Sequence, residues 1–449
     1  MRKLERRHYL LTVLLVIQAF NNVDGQALAM VLQNIKGDLH LSDSQLGVLT
    51  GIAFALFYSV MGIPIGRWAD RGNRVQVISV TTALWSVMVV LCGTAMSFGQ
   101  LLLIRVGVAV GEAGCIPPAH SLIADYFTRA ERPRAVSFYL LGGPLSLLVG
   151  YLLAGWLNEF YGWRFMFMIL GIPGLGLAAL AWFTLREPRL LLSSEEEAPK
   201  GGAAKASLNR RPSAESEVQP SLKEISTTLW SNLTFRHLLF CYSLSSFFGW
   251  GVSQWQPTFL IRSYGLTTGE LGTWLAIIYG TSGFLGTYWG GTLASRYAAN
   301  NERRQLKSMA VAFAGFAIVS TGIYLSRNEH VTLALIALSN LGFTATIGTL
   351  LAIFQTLVRD RMRATSIAVI YFCANLIGMG LGPLMAGTLS DVLRPLAGEE
   401  SLRYALLALC PGYFWAGWHL WRASRTVARD VERAQCNDEI AEFSRYLTQ

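Results

Sequence analysis

The sequence predicts an all-α integral membrane protein, with twelve transmembrane helices arranged as two six-helix bundles. Three observations carry that prediction. The 449 residues are 52% hydrophobic and 14% charged, where an average soluble domain is about 25% charged. Apolar runs of the length a helix needs to cross a bilayer, about 20 residues, occupy most of the chain and leave no room for a large soluble domain. Lys and Arg alternate between rich and poor loops, as the positive-inside tendency demands.

The runs fall near 9–32, 44–66, 75–96, 100–123, 135–157, 164–185, 237–261, 270–294, 308–326, 331–357, 365–387 and 402–421. With residues at a run's edge counted in the adjoining loop, the N-terminus, the loop after every second run and the C-terminal tail hold 30 of the 37 Lys and Arg. The intervening loops hold 6, and Arg105 falls inside a run. An even number of crossings puts both termini on one side, and this split makes that side the cytoplasm, with a bacterial inner membrane as the expected location. The net charge of +9 is then mostly a topology signal, and no basic patch on a soluble domain is left to suggest nucleic acid.

Taken in order, run 1 follows Arg2, Lys3, Arg6 and Arg7 and contains Ala27-Leu28-Ala29, the outline of a secretory signal. It is longer than a usual signal core, and removing it would leave eleven runs and break the charge alternation, so it is read as the first helix. From Arg189 to about Pro220 the chain turns to Ser, Glu, Ala, Lys and Pro, too polar for a core; this is a cytoplasmic linker. Ser221 to Arg236 sets Leu222, Ile225, Leu229 and Leu233 at helical spacing, which reads as an amphipathic surface helix or as more linker. Asn232-Leu233-Thr234 there is a glycosylation sequon that a cytoplasmic position would silence. The divisions are thus 1–188, 189–236, 237–425 and a tail, 426–449. Cys92, Cys115, Cys241, Cys373, Cys410 and Cys436 have no metal or disulfide spacing, and neither a metal nor a cofactor is expected.

The two halves repeat. GRWADRGNR, Gly66 to Arg74, follows run 2 and GTLASR, Gly291 to Arg296, follows run 8; RPRAVS, Arg132 to Ser137, follows run 4 and RMRATS, Arg361 to Ser366, follows run 10. Related halves about an axis along the membrane normal, with a site near midplane between them, are a standard secondary-transporter plan.

Gly62 to Arg74, with Gly66, Asp70, Arg71, Gly72 and Arg74, resembles the signature loop of the major facilitator superfamily, and the copy after run 8 is its weakened form. Val110 to Phe127, Gly162 to Phe167, Arg186 to Pro188 and Asn375 to Asp391 are similar to the Spinster family of lysolipid and sphingosine-phosphate transporters. The likeness covers nearly all the membrane part and misses the linker and tail. It departs in helix 1, where Spinster-like sequences commonly carry Asp-Arg and this chain has Asp24-Gly25. The resemblance implies a major facilitator fold and a carrier working by alternating access. It also implies that Asp70 meets the start of a neighbouring helix and latches the cytoplasmic side. Arg71, Arg74, Arg132, Arg134, Arg296, Arg361 and Arg363 join Gly66 and Asp70 in the candidate gate.

Ionisable residues deep in a bilayer cost about 2.5–3.5 kcal/mol each even on the gentlest scale and are functional candidates by default. Asp24, Arg105 and Glu112 stand clear of the run ends. Arg105 and Glu112 are two helical turns apart, about 10.5 Å along one face, and Asp24 falls at a depth between them. The expectation is a proton-coupling cluster of Asp24, Glu112 and Arg105, with Arg105 also touching the substrate's negative group; a fixed structural ion pair is the alternative. Trp250, Gln254, Trp255, Gln256, Asn340, Thr344 and Asn375 are candidates for the other wall of the cavity, with helix-to-helix contact as the competing role. A cavity charged on one side and aromatic and amide-lined on the other suits an amphipathic anion. The expected partners are the bilayer, an amphipathic or lipid substrate and protons, and the expected state is a monomer. A carrier of a small organic anion or drug is the alternative. A membrane acyltransferase, suggested by His120 and Asp125 at HxxxxD spacing, is the remote one.

Overall fold

The computed structural model describes residues 2–128, 131–189, 227, 229–297, 301–358 and 363–446, and among these every regular element is helical. The N-terminal half comprises α1 (Arg2–Leu39), α2 (Asp43–Thr50), α3 (Ile52–Arg71), α4 (Arg74–Cys92), α5 (Phe98–Glu112), α6 (Ile116–Tyr126), α7 (Arg132–Leu140) and α8 (Gly142–Thr184). The C-terminal half comprises α9 (Leu233–Tyr264), α10 (Thr268–Tyr297), α11 (Glu302–Leu325), α12 (Glu329–Thr356) and α13 (Arg363–Ala374). A π-helical turn, Asn375–Leu381, then leads into α14 (Gly382–Ala397), α15 (Ser401–Leu409) and α16 (Gly412–Tyr446).

Among the described residues 7 stretches are long and apolar enough to cross a membrane, and two of them, of 51 and 65 residues, are long enough for two crossings each. The polar content of α1, α9 and α10, such as Asn21, Asn22 and Asp24 in α1, lowers their hydropathy; with them the crossings number twelve. The longest stretch of the N-terminal half, α8, turns back at Gly162, whose φ of +77° lies in the left-handed region that a side chain would disfavour. Run 4 is split between α5 and α6, where Gly114 and Pro117-Pro118 interrupt the backbone ladder.

Two boundaries differ from the sequence reading. The seventh crossing begins at Leu233, because Asn232 caps it by accepting a hydrogen bond from the Phe235 N–H at 2.8 Å. Leu233 and Arg236 therefore belong to α9 and not to a surface helix, of which residues 221–226 and 228 lie outside the described set. The last crossing and the tail form one helix, α16, with no break near 425.

The buried apolar residues fall into two clusters. One fills the N-terminal half and continues across into Trp255, Phe259, Tyr279 and Tyr324. The other, with Phe235, Phe313, Phe354 and Tyr413, lies wholly within the C-terminal half. The halves share a core at the end away from the termini and have separate cores at the end that carries them.

Candidate functional site

The α1 register buries Asp24 and the α5 register buries Arg105 and Glu112, with 3%, 3% and 5% exposure. Arg105 Nη1 donates to Asp24 Oδ2 at 2.5 Å, and the guanidinium lies over the Phe54 ring, 5.3 Å from its centre, so one α3 aromatic supports the cation from below. Glu112, two turns along the same face of α5, is close enough to both for their charges to act on it. The three predicted residues thus meet in one buried cluster. It is not fully satisfied: Arg105 Nε and Glu112 Oε1 are buried with no partner among the described residues. An orphaned buried polar group costs about 1–3 kcal/mol, and a ligand or a proton is what such groups are available to hold. One guanidinium faces two carboxyls, so the cluster is neutral only when one carboxyl carries a proton.

Beside it, Gly25 has nothing within 4 Å of where a Cβ would stand. The departure from the Asp-Arg pattern leaves open volume next to Asp24.

A second polar network joins the halves at the end away from the termini. Asp43, fully buried, accepts Lys36 Nζ at 2.6 Å, Arg262 Nη1 and Nη2 at 2.8 and 2.7 Å, and Ser390 Oγ at 2.7 Å. Arg262 Nε donates to Gln33 Oε1 at 2.7 Å. Asp391, from α14, takes the free N–H groups at the start of α2: its carboxylate accepts from Asp43 N at 3.0 Å, Ser44 N at 2.7 Å and Ser44 Oγ at 2.6 Å. An acid at a helix N-terminus also satisfies the positive end of its dipole. Alongside, Asn158 Nδ2 donates to Thr268 Oγ1 at 3.1 Å and Thr268 N to Glu159 Oε2 at 3.0 Å. α8 and α10 approach so closely that a Cβ on Gly155 would stand 2.4 Å from the Thr268 carbonyl oxygen and 2.9 Å from Gly272 Cα.

Sequence reasoning missed this seal. Lys36, Asp43, Arg262 and Asp391 lie at run ends, where charge is ordinary. The one local signal was Ser42-x-x-Gln45, which forms a reciprocal capping box and marks the helix start that Asp391 grips.

The other predicted residues scatter. Trp255, with no exposed surface, donates its indole N–H to the Pro383 carbonyl at 2.9 Å, holding α9 to α14 inside the closed seam. Gln256 accepts from the Tyr279 hydroxyl, and Asn340 donates to Ser282 Oγ at 2.8 Å. Thr344 Oγ1 donates to the Asn340 carbonyl. The Gln256 and Asn340 contacts bind helices of the C-terminal half to one another, while the Thr344 bond closes within α12. Gln254 Oε1 is buried without a partner among the described residues, and half-buried Asn375 opens the π-helical turn. The side chains of Trp250 in α9 and Arg363 in α13 lie outside the described set, as does the whole of Arg361.

At the end bearing the termini, Asp70, Arg71, Arg132, Arg134 and Arg296 are exposed, and Gly66 has open space beside it. The Asp70 carbonyl accepts from Arg189 at 2.9 Å, while its carboxylate has no partner among the described residues. Arg132 Nε donates to the Phe127 carbonyl. Arg74, fully buried, differs from the rest: it bonds Glu187 through its backbone N–H and its guanidinium, Asp125 at 2.7 Å and Ser121 at 2.8 Å. It is a fastener inside the N-terminal half. Burial works against the Glu187 anion, but the hydrogen bonds from Arg74 outweigh it and hold that carboxyl below its ordinary range. Asp125 is committed to Arg74 while His120 packs edge-on to Tyr139, so the base and orienting acid of an acyltransferase are not assembled.

Residues 14–383 match the family model described as Major Facilitator Superfamily. The chain is similar to an MFS-type efflux pump of Mycolicibacterium smegmatis, 30% identical over 420 residues and covering 93% of each chain. It is also similar to protein spinster homolog 1 of Xenopus tropicalis, 27% identical over 94% of this chain and 81% of that one. Among solved structures, a bacterial homologue of the human lysosomal transporter Spinster, in an inward-facing and unoccupied conformation, matches with a TM-score of 0.79 at 29% identity, over 95% of this chain and 98% of that one.

Proposed function

Because the chain belongs to the major facilitator superfamily, whose members carry solutes by alternating access, we propose that it is a proton-coupled transporter of an amphipathic anionic lipid of the lysophospholipid or sphingosine-phosphate kind. The buried cluster of Asp24, Arg105 and Glu112 is the observation that carries this reading. With the site empty, Arg105 pairs with Asp24, and Glu112 is the carboxyl left to take up or release a proton. An anionic head group arriving at Arg105 competes for the guanidinium and adds a negative charge to a low-dielectric site, so the occupied cluster favours a proton on Glu112 more strongly than the empty one does. Proton and substrate are thereby linked through one arginine. The buried cation on α5 supports an anionic cargo, and the likeness to the Spinster relatives supports an amphipathic one.

On the 30-to-6 charge split the termini are cytoplasmic, in a bacterial inner membrane. The sealed end is then external and the conformation inward-facing, in keeping with the conformation named for the solved relative. In the alternate state Asp70 would meet the start of α13 as Asp391 meets the start of α2 here, one latch for each end.

The efflux-pump relative, at 30% identity, favours a drug-like amphiphile as the second reading. Proteoliposomes containing lysophosphatidylglycerol test both: uptake that rises with an imposed pH gradient supports the proposal. No lipid transport together with gradient-driven export of a drug-like amphiphile would replace it with the second reading.

A further inference from the structure

A cavity of about 630 Å³ opens at the terminus-bearing end of the N-terminal half, between the start of α1 and the start of α7. Arg7, His8, Arg134 and Glu131 supply its polar lining, and Leu11, Phe127 and Phe138 its apolar part. The charges are unequal in availability. Arg7 is pinned to Glu131 at 3.0 and 3.1 Å and rests over the Phe127 ring. Hydrogen bonds from Thr128, and after them Arg7, hold the Glu131 carboxyl below its ordinary range, so that anion is already committed. Arg134 is exposed to the cavity and has no partner among the described residues. The net result is a free guanidinium above an apolar floor.

The cavity and the buried cluster lie along one face of α1. On α1, His8 and Thr12 are exposed and Leu15, Asn22 and Gly25 are half-buried. Their spacing of four, three, seven and three residues keeps them on a single face, with buried Gln18 and Ala19 closing the gap of seven. The stripe begins in the cavity and ends at Gly25, next to Asp24. From Thr12 to Asp24 is about 18 Å along the helix.

The geometry points to a reception site: the cavity at Arg7, His8 and Arg134 binds the anionic head group of an amphiphile before it travels along the α1 stripe to Arg105. This rests on the reading of the cargo as an anionic amphiphile and adds a second, separate binding position for it. Arg134 supplies the charge, and Leu11, Phe127 and Phe138 take the first part of the chain. The same chemistry would accept a free phosphate.

The test uses the full-length protein in nanodiscs and proteoliposomes with fluorescent lysophosphatidylglycerol as the probe. Arg134→Ala is expected to raise the probe's Kd and the transport KM about tenfold, the weight of one charge-assisted hydrogen bond, with maximal rate unchanged. Arg134→Lys is expected to restore most of the affinity, and the difference from wild type is expected to shrink in high salt. Displacement of the probe by inorganic phosphate would support a site that reads the bare anion; binding that phosphate leaves intact would support one that needs head group and chain together. Unchanged Kd and KM in both Arg134→Ala and Arg134→Glu, while Arg105→Ala loses transport, would overturn the reception site and leave the transport reading standing. A wild-type protein that neither binds nor moves the lipid would overturn both.

Discussion

Asp43→Asn probes the seal between the halves. In the structure Asp43 is fully buried and accepts four hydrogen bonds, three of them, two from Arg262 and one from Ser390, crossing from the other half. The fourth, from Lys36, lies within its own half and survives when the halves part. Breaking a buried ion pair by removing one partner costs about 3–5 kcal/mol. Assigning about 3 kcal/mol to the part that crosses halves gives a shift of roughly 100-fold in the ratio of sealed to open external end. A molecule 99% sealed would then spend about half its time open there. Spin labels at Met96 and Leu396, exposed positions of the two halves, read this as a second, longer distance in pulsed dipolar spectroscopy. Arg262→Gln should give the same shift, and the double variant little more, since both remove one interaction. A distance distribution that stays at the wild-type value in folded Asp43→Asn would refute the reasoning and reduce the network to packing.

Three further outcomes follow from named contacts. Gly155→Val places atoms where 2.4 Å separates a Cβ from the Thr268 carbonyl, so the same spin pair should report an external end that cannot seal and transport should stop. Asp70→Asn should favour the conformation seen here, because it removes the acid proposed to latch the alternate state; a reporter pair at the terminus-bearing end should lose its short-distance population. Arg105→Ala should abolish binding of lysophosphatidylglycerol, by calorimetry, because it is the cation at the cluster and leaves Asp24 unpaired; unchanged affinity would remove it from the substrate site.

Much of this was readable from the chain because a bilayer makes errors costly. Polar residues are so expensive in hydrocarbon that the twelve runs stand out, and the same expense singled out Asp24, Arg105 and Glu112, whose neighbours in sequence are apolar. The seal was not readable. Asp43, Arg262 and Asp391 sit where a charge is ordinary, and their meaning lies in a pairing across more than two hundred residues that no local pattern encodes. Trp255 and Asn340 were ambiguous for a related reason. A polar or aromatic group within a helix fits a cavity wall and a helix seam equally well, and only packing against Pro383 and Ser282 decides between them. Arg74 read as one of several loop cations, whereas Glu187, far along the chain, makes it the buried centre of its bundle.

The central claim is that a proton held by the Asp24, Arg105 and Glu112 cluster drives movement of an anionic amphiphile. Its most direct test compares wild type with Glu112→Gln in proteoliposomes loaded with lysophosphatidylglycerol, measuring exchange without a gradient and net uptake with a pH gradient side by side. The amide mimics a carboxyl that never releases its proton. Glu112→Gln is expected to keep exchange near the wild-type rate and to lose the gradient-driven component. Net uptake that follows the pH gradient as strongly as in wild type would contradict it and leave Glu112 outside the coupling chemistry.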